Sequence, residues 1–248
     1  MVAALLLFAG PARADVSFTE HTVDTTDKHP AETETRVSIK ASRVRIETKD
    51  GGEMVAAIYD IDNGRQIILR SKQKEAAVSD FTEQSAEVEN KKFAPETTFA
   101  PTGKSKDILG KTCAEYSFSI RVPVFEELAV DLLVTGSVFV MRGTPESQEF
   151  ADFVRRAQRQ NLIWGLSSDN AGAVALARAQ TELYQQVAAI GGIPLEADKN
   201  IQFQGGYWSK PFVKGNSGDK SSTVTAISSD PLPDAQFMVP RGWRIHTQ

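Results

Sequence analysis

Residues 144–191, TPESQEFADFVRRAQRQNLIWGLSSDNAGAVALARAQTELYQQVAAIG, decide how this chain is read. Only here do the apolar residues keep a helical period for long. Thr144 has the chemistry of an N-cap, Pro145 fits the first helical position, and Glu146 suits the positive end of the helix dipole. Phe150, Phe153, Val154 and Ala157 then recur at i, i+3, i+4 and i+7, one apolar stripe. Arg155, Arg156 and Arg159 read as a solvated face of the same helix. After Trp164-Gly165, Asp169 or Asn170 caps a second helix. Its stripe is Leu176, Leu183, Tyr184, Val187 and Ile190, with Ala173, Ala177 and Ala188 beside it. Gly191 suits the left-handed position after the last turn, and Pro194 prevents continuation.

On either side of this insert the period changes to two. Upstream, Ala114, Tyr116, Phe118, Ile120 and Val122 alternate with Glu115, Ser117, Ser119 and Arg121, a strand with one core face and one wet face. Val130, Leu132, Val134, Val138 and Val140 line one side of the next strand, where Gly136 predicts a bulge or bend. Nearer the N-terminus, Thr35, Val37, Ile39, Val44 and Ile46 alternate with polar residues. Residues 54–61 are apolar on both faces, as in a central strand or one facing a lid. Asn63-Gly64 predicts a two-residue type I′ hairpin turn into residues 65–70, and a short strand follows at 75–81. The polar stretch 82–106, with Pro95, Pro101 and Gly103, reads as a long connection carrying at most a short strand or helical turn. Downstream, residues 195–207 and 221–229 form a hairpin pair around a loop at 210–220. Pro231, Pro233 and Asp234 make a corner, and Pro240 and Gly242 weaken regular pairing in the last segment.

The 248 residues are 41% hydrophobic and 24% charged, an ordinary globular balance with a net charge of −4. Such acidity excludes the basic footprint of a nucleic-acid binder. Residues 2–9 are a short apolar run, and Ala12-Arg13-Ala14 fits the small-x-small pattern of an export signal cleaved before Asp15. The positive charge ahead of that run is left to the α-amino group or to an upstream start. The expected mature form is one domain, 15–248, in the periplasm, with no transmembrane span. Cys113 is the only cysteine, so no internal disulfide forms; its strand neighbours favour a buried small hydrophobe over a reactive thiol.

Motifs that suggest chemistry fail on spacing. Asp60, Asp62 and Gly64 begin like a calcium loop, but glycine stands at position five and Ser71 at position twelve. Gly103-Lys104-Ser105 ends like a phosphate loop, but Thr98 replaces its first glycine. His21, His29 and His246 are scattered, though folding is free to bring His21 to His246. No serine sits in a nucleophile elbow, and Glu126-Glu127 alone carries no acid–base information. The reading therefore expects no enzyme, no metal and no cofactor.

Residues Thr102-Gly103-Lys104 leading into Ile108-Leu109-Gly110-Lys111-Thr112-Cys113-Ala114-Glu115-Tyr116 resemble the TGxTKxIxGxxCxxY hairpin of an exported bacterial domain-of-unknown-function family. Residues 226–234, AISSDPLPD, with Phe237, Val239-Pro240 and Gly242, resemble its C-terminal signature, and Gly192-Ile193-Pro194 also fits. The resemblance implies a LolA-like (lipoprotein-carrier-like) fold: an incomplete antiparallel β-barrel with helices across its open side. It transfers no functional residues, because no carrier motif aligns residue by residue.

Both lines converge on an α+β, mainly antiparallel β domain: an incomplete barrel or strongly curved sheet covered by the two-helix insert. The insert is a lid over an apolar cavity or a plug completing the core. As a lid, it makes the protein a carrier for a lipid or acylated molecule, with Met54, Tyr59, Phe139, Trp164, Leu176, Leu183 and Tyr184 as candidate walls. As a plug, it leaves a cell-envelope interaction or sensor module with a dry core and a protein partner.

Overall fold

A computed structural model describes residues 14–25, 30–50, 52–81, 95–125, 130–165, 170–205 and 217–247. Residues 2–9, the apolar run read as an export signal, residues 82–94 of the polar stretch, Asp169, His29, Glu126-Glu127 and residues 206–216 lie outside the described residues.

The strands are β1 (Val16–Asp24), β2 (Ala31–Lys40), β3 (Arg43–Asp50), β4 (Glu53–Asp60), β5 (Arg65–Arg70) and β6 (Glu75–Asp80). They continue with β7 (Glu96–Ile108), β8 (Lys111–Phe125), β9 (Val130–Arg142), β10 (Gly192–Gln204), β11 (Gly218–Ser228) and β12 (Arg244–Thr247). All join one curved sheet in the order β12-β6-β5-β4-β3-β2-β1-β11-β10-β9-β8-β7. Among the described residues every pairing is antiparallel except β12 with β6. The sheet does not close: β7 and β12 are its two edges among the described residues. Helices α1 (Pro145–Arg159) and α2 (Ala171–Ala189) follow β9 and cross the inner face.

Helix α1 starts as its sequence dictates. Thr144 Oγ1 accepts from the Ser147 amide at 3.2 Å, and Ser147 Oγ accepts from the Thr144 amide at 3.1 Å, a reciprocal capping box. Asn170 Oδ1 caps α2 by accepting from Gly172 N at 2.9 Å. Gly191 closes the second helix at φ +70°, a conformation that excludes most side chains. The alternating strands place Val16, Phe18, Val37, Ile39, Phe118, Ile120, Leu132 and Ile193 in one core beneath the helices.

Residues 54–61 are apolar on both faces because both faces are covered. Tyr59 and Ile61 enter the main core, while Ala56 and Ile58 join Ile67, Leu69, Leu232 and Phe237 in a second cluster on the outer face. The tail is fastened there by Lys40 Nζ donating to the Leu232 carbonyl at 2.6 Å and Arg43 donating to Asp234 at 2.6 Å. The Arg43 guanidinium also stands 5.0 Å over the Phe237 ring. A 3-10 turn at Asp234–Phe237 and the parallel strand β12 replace the irregular tail expected from Pro240 and Gly242.

Three local expectations change. Residues 96–108 form a thirteen-residue edge strand rather than a connection. Its pairing with β8 slips between Pro101 and Ser105, and that bulge absorbs the proline and Gly103 where no ladder donor is needed. The type I′ geometry falls at Leu109-Gly110, both with positive φ, not at Asn63-Gly64. Ile61 is buried and begins a four-residue loop, in which only Gly64 has positive φ and Asn63 donates to Asp60 at 2.8 Å. Gly136 marks no bulge but a close strand approach: a Cβ there would lie 1.8 Å from the Asp198 carbonyl oxygen.

A candidate ligand cavity beneath the second helix

The inner face of β8, β9 and β10 carries Phe118, Ile120, Val134 and Ile201, and α2 passes above them with small residues turned downward. Ala173, Ala177 and Ala179 leave space that larger side chains would have filled. The result is a cavity of about 390 Å³ between sheet and helix, with Leu176, Leu183 and Trp164 completing its apolar wall.

Trp164 is held from several sides. Its amide donates to Thr181 Oγ1 at 2.7 Å, and that hydroxyl donates to the Ala177 carbonyl at 2.8 Å, tying the linker to α2. Its indole meets Tyr184 edge to face at 5.1 Å and Phe153 at 5.7 Å between ring centres. Tyr184 is buried behind it, and desolvation, reinforced by the charge of Glu20, pushes its phenol well above the usual range.

One end of the cavity is polar. Lys199, Lys220, Asp24 and Gln180 line it. Lys199 and Lys220 are register partners on the inner face of β10 and β11, and Lys220 pairs in turn with Asp24 of β1. Lys220 Nζ lies 3.2 Å from Asp24 Oδ2, their side chains 37% and 29% exposed, so this end faces water. Lys199 sits deeper and donates to Gln180 Oε1 at 2.7 Å. Burial pulls its ammonium down to about 8; Lys220 adds to that pull, while Glu20 and Asp24 favour the charge.

The seven wall residues read from sequence separate into groups. Trp164, Leu176 and Leu183 line the cavity, and Tyr184 backs Trp164. Tyr59 lies elsewhere in the core, against Phe81, where its hydroxyl accepts from Gln66 at 2.9 Å. Burial raises it to about 12. Met54 and Phe139 do not face the helices. Met54 falls on the outer parity of β4, beyond the tail, and is 45% exposed. Phe139 alternates out of the row of Val138 and Val140 and lies under Lys106, whose Nζ is 4.5 Å from the ring centre. Apolar character alone selects both residues, and strand parity is what places them. Sequence reading passes over Lys199 and Lys220, although Ala197, Ile201 and Phe203 already put position 199 on the inward face.

The remaining candidates have structural explanations. Cys113 is buried, and desolvation raises its thiol. Thr102-Gly103-Lys104 forms the β7 bulge, where Thr102 Oγ1 donates to Glu115 Oε2 at 2.6 Å and holds that carboxyl below its usual range. His21 of β1 and His246 of β12 are six strands apart in the sheet, so they share no site. Among the described residues no group of three or more His, Cys, Asp or Glu is placed to hold a metal ion, and no helix is long and apolar enough to cross a membrane.

No family model and no curated protein matches the sequence. Solved structures match over most of the chain at low identity. An uncharacterized conserved protein from Thermus thermophilus is 9% identical at a TM-score of 0.41, over 95% of this chain and 91% of that one. PNGF-II is 10% identical at 0.41 over 95% of this chain, which spans only 31% of PNGF-II's length. A LolA superfamily protein from Nitrosomonas europaea is 7% identical at 0.32, over 91% of this chain and 90% of that one. The unclosed antiparallel sheet with α1 and α2 lying across it is the arrangement that the hairpin and tail resemblance implied.

Proposed function

We propose that this is an exported binding or carrier protein that holds an apolar or amphipathic molecule, a lipid or an acylated compound, between the sheet and α2. The cavity carries the reading. Its volume of about 390 Å³ falls within the ~300–1,000 Å³ of small-molecule sites, its walls are mainly apolar, and its polar groups converge at one end. Trp164, Leu176, Leu183 and Tyr184 are the residues we assign to ligand contact or its immediate support. Met54, Tyr59 and Phe139 are not carried forward. Native mass spectrometry after gentle purification tests the assignment. A co-purified lipid, or a mass shift on adding lipids or acyl peptides, is expected. Absence of both would sink it and favour an envelope interaction module with a dry core. Export is tested separately by sequencing the N-terminus of the secreted protein, where Asp15 is the expected first residue.

A further inference from the structure

The chemistry at the polar end is more specific than an amphipathic pocket requires. The cavity wall carries two ammonium groups, Lys199 and Lys220, and one carboxylate, Asp24. Lys220 and Asp24 satisfy each other at the rim, 3.2 Å apart. Lys199 is left with a neutral partner, the Gln180 amide oxygen, and among the described residues no carboxylate comes within ion-pair distance of it. An ammonium offers three donors, and drawing it out of water against one neutral acceptor is unfavourable. An anionic oxygen arriving through the open end completes the set with charge-assisted hydrogen bonds, stronger than neutral ones.

We propose that the cavity selects a single-chain amphiphile with an anionic head, the head seated against Lys199 and Lys220 and the chain lying among Phe118, Ile120, Leu176 and Leu183. This rests on the reading of the cavity as a ligand site. Glu20 of β1 pairs in register with Val224, deeper than the rim; with Asp24 it keeps Lys199 protonated near neutral pH, so the positive charge is present when the ligand arrives. Two sources fit the head, a fatty carboxylate or the phosphate of a lysolipid, and both present oxygens of the same kind.

The test compares matched probes below their aggregation limits by calorimetric titration: laurate, dodecyl phosphate, 1-dodecanol and acetate. Laurate or dodecyl phosphate should bind at least tenfold more tightly than dodecanol, with the tighter of the two naming the head, and acetate should not bind in the same range. Lys199→Met and Lys199→Gln should bring the anionic amphiphiles to the dodecanol level without changing dodecanol, and melting curves of both variants check their folding. Raising the pH from 7 to 9.5 should weaken laurate as Lys199 loses its proton and leave dodecanol unchanged. Equal binding of dodecanol and both anions overturns the inference while the ligand-site reading stands. Binding of acetate as tight as laurate overturns it in favour of a bare anion site. Failure of every amphiphile overturns both.

Discussion

Helix α1 buries Phe150 and Phe153 completely, whereas Leu176 and Ala173 of α2 are only half-buried, because part of each borders the cavity. Both helices lie across the inner face of the same sheet and both begin with a sound cap. They differ in what they turn downward. Helix α1 presents aromatic rings that interlock with Phe18 and Tyr184, at centroid separations of 6.4 and 5.5 Å. Helix α2 presents alanines spaced by Leu176 and Leu183. Helix α1 therefore completes the core, while α2 adds Leu183, Tyr184 and Val187 to that core and also roofs a space along the stretch from Ala173 to Leu183.

The largest expected effect breaks the plug. Phe150→Ala removes a fully buried ring from the junction of β1, the linker and α2, and should cost about 3–5 kcal/mol in urea unfolding. The surrounding rings are held by their own contacts, so the site has little freedom to collapse. A loss below about 1 kcal/mol would mean that α1 packs loosely and that the two helices do not differ in kind.

A smaller effect comes from the charged end of the lid region and depends on pH. In the folded protein Lys199 titrates at about 8. In an unfolded chain lysine titrates near ~10.4. Between those values the unfolded state binds the extra proton, so stability should rise with pH from ~8 to ~10. Below about 8 both states are charged and the burial cost is present in full. Lys199→Met should remove the rise and stabilise the protein at pH 7 by about 1–3 kcal/mol, with a similar reach but no charge. Melting temperatures at pH 7, 8.5 and 10 for both proteins check it. A parallel rise in the variant would assign the titration to another group.

A third expectation concerns how α1 is anchored. Glu149 is buried at 3% exposure, and its Oε1 accepts from the Ala41 amide at 3.0 Å in the β2–β3 turn. Ala41 has φ +57°, a left-handed conformation unusual for a residue with a Cβ. Glu149→Ala leaves that amide unsatisfied and should cost about 1–3 kcal/mol, while Glu149→Gln, which keeps an acceptor, should cost less. Hydrogen exchange at Ala41, faster in the alanine variant, separates this local loss from a general loosening.

Period and capping chemistry carry most of this architecture in the sequence. Thr144, Pro145 and the stripe from Phe150 to Ala157 locate α1, and Asn170 and Gly191 bound α2. The alternation from Tyr116 to Val122 shows which side of β8 is core. Legibility ends where a residue's meaning depends on its neighbours across strands. Residues 96–108 are polar and carry Pro101 and Gly103, yet they pair along β8 because an edge strand needs partners on one side only. Asn63-Gly64 has I′ chemistry, but burying Ile61 lengthens the loop, and Leu109-Gly110 takes that geometry at the cost of a left-handed leucine. Met54 and Phe139 are misplaced for want of parity. Lys199 escapes notice because a lone lysine in a polar run reads as solvated until the facing strands show which way it points.

The finest test of the contrast between the helices lies at Leu176. It is half-buried and borders the cavity, so shortening it should cost less than about 1.5 kcal/mol: much of its surface already lacks packed neighbours, and truncation enlarges existing space. Leu183, two helical turns further on and only 2% exposed, also borders the cavity but sits deeper, and its truncation should fall between Leu176 and Phe150. Leu176→Trp should fill the cavity with little change in stability, yet abolish uptake of a twelve-carbon amphiphile in the titration described above. Stability and binding would then separate at one position. If Leu176→Ala instead cost as much as Phe150→Ala, the space beneath α2 would be closed in solution, and the second helix would be a plug like the first.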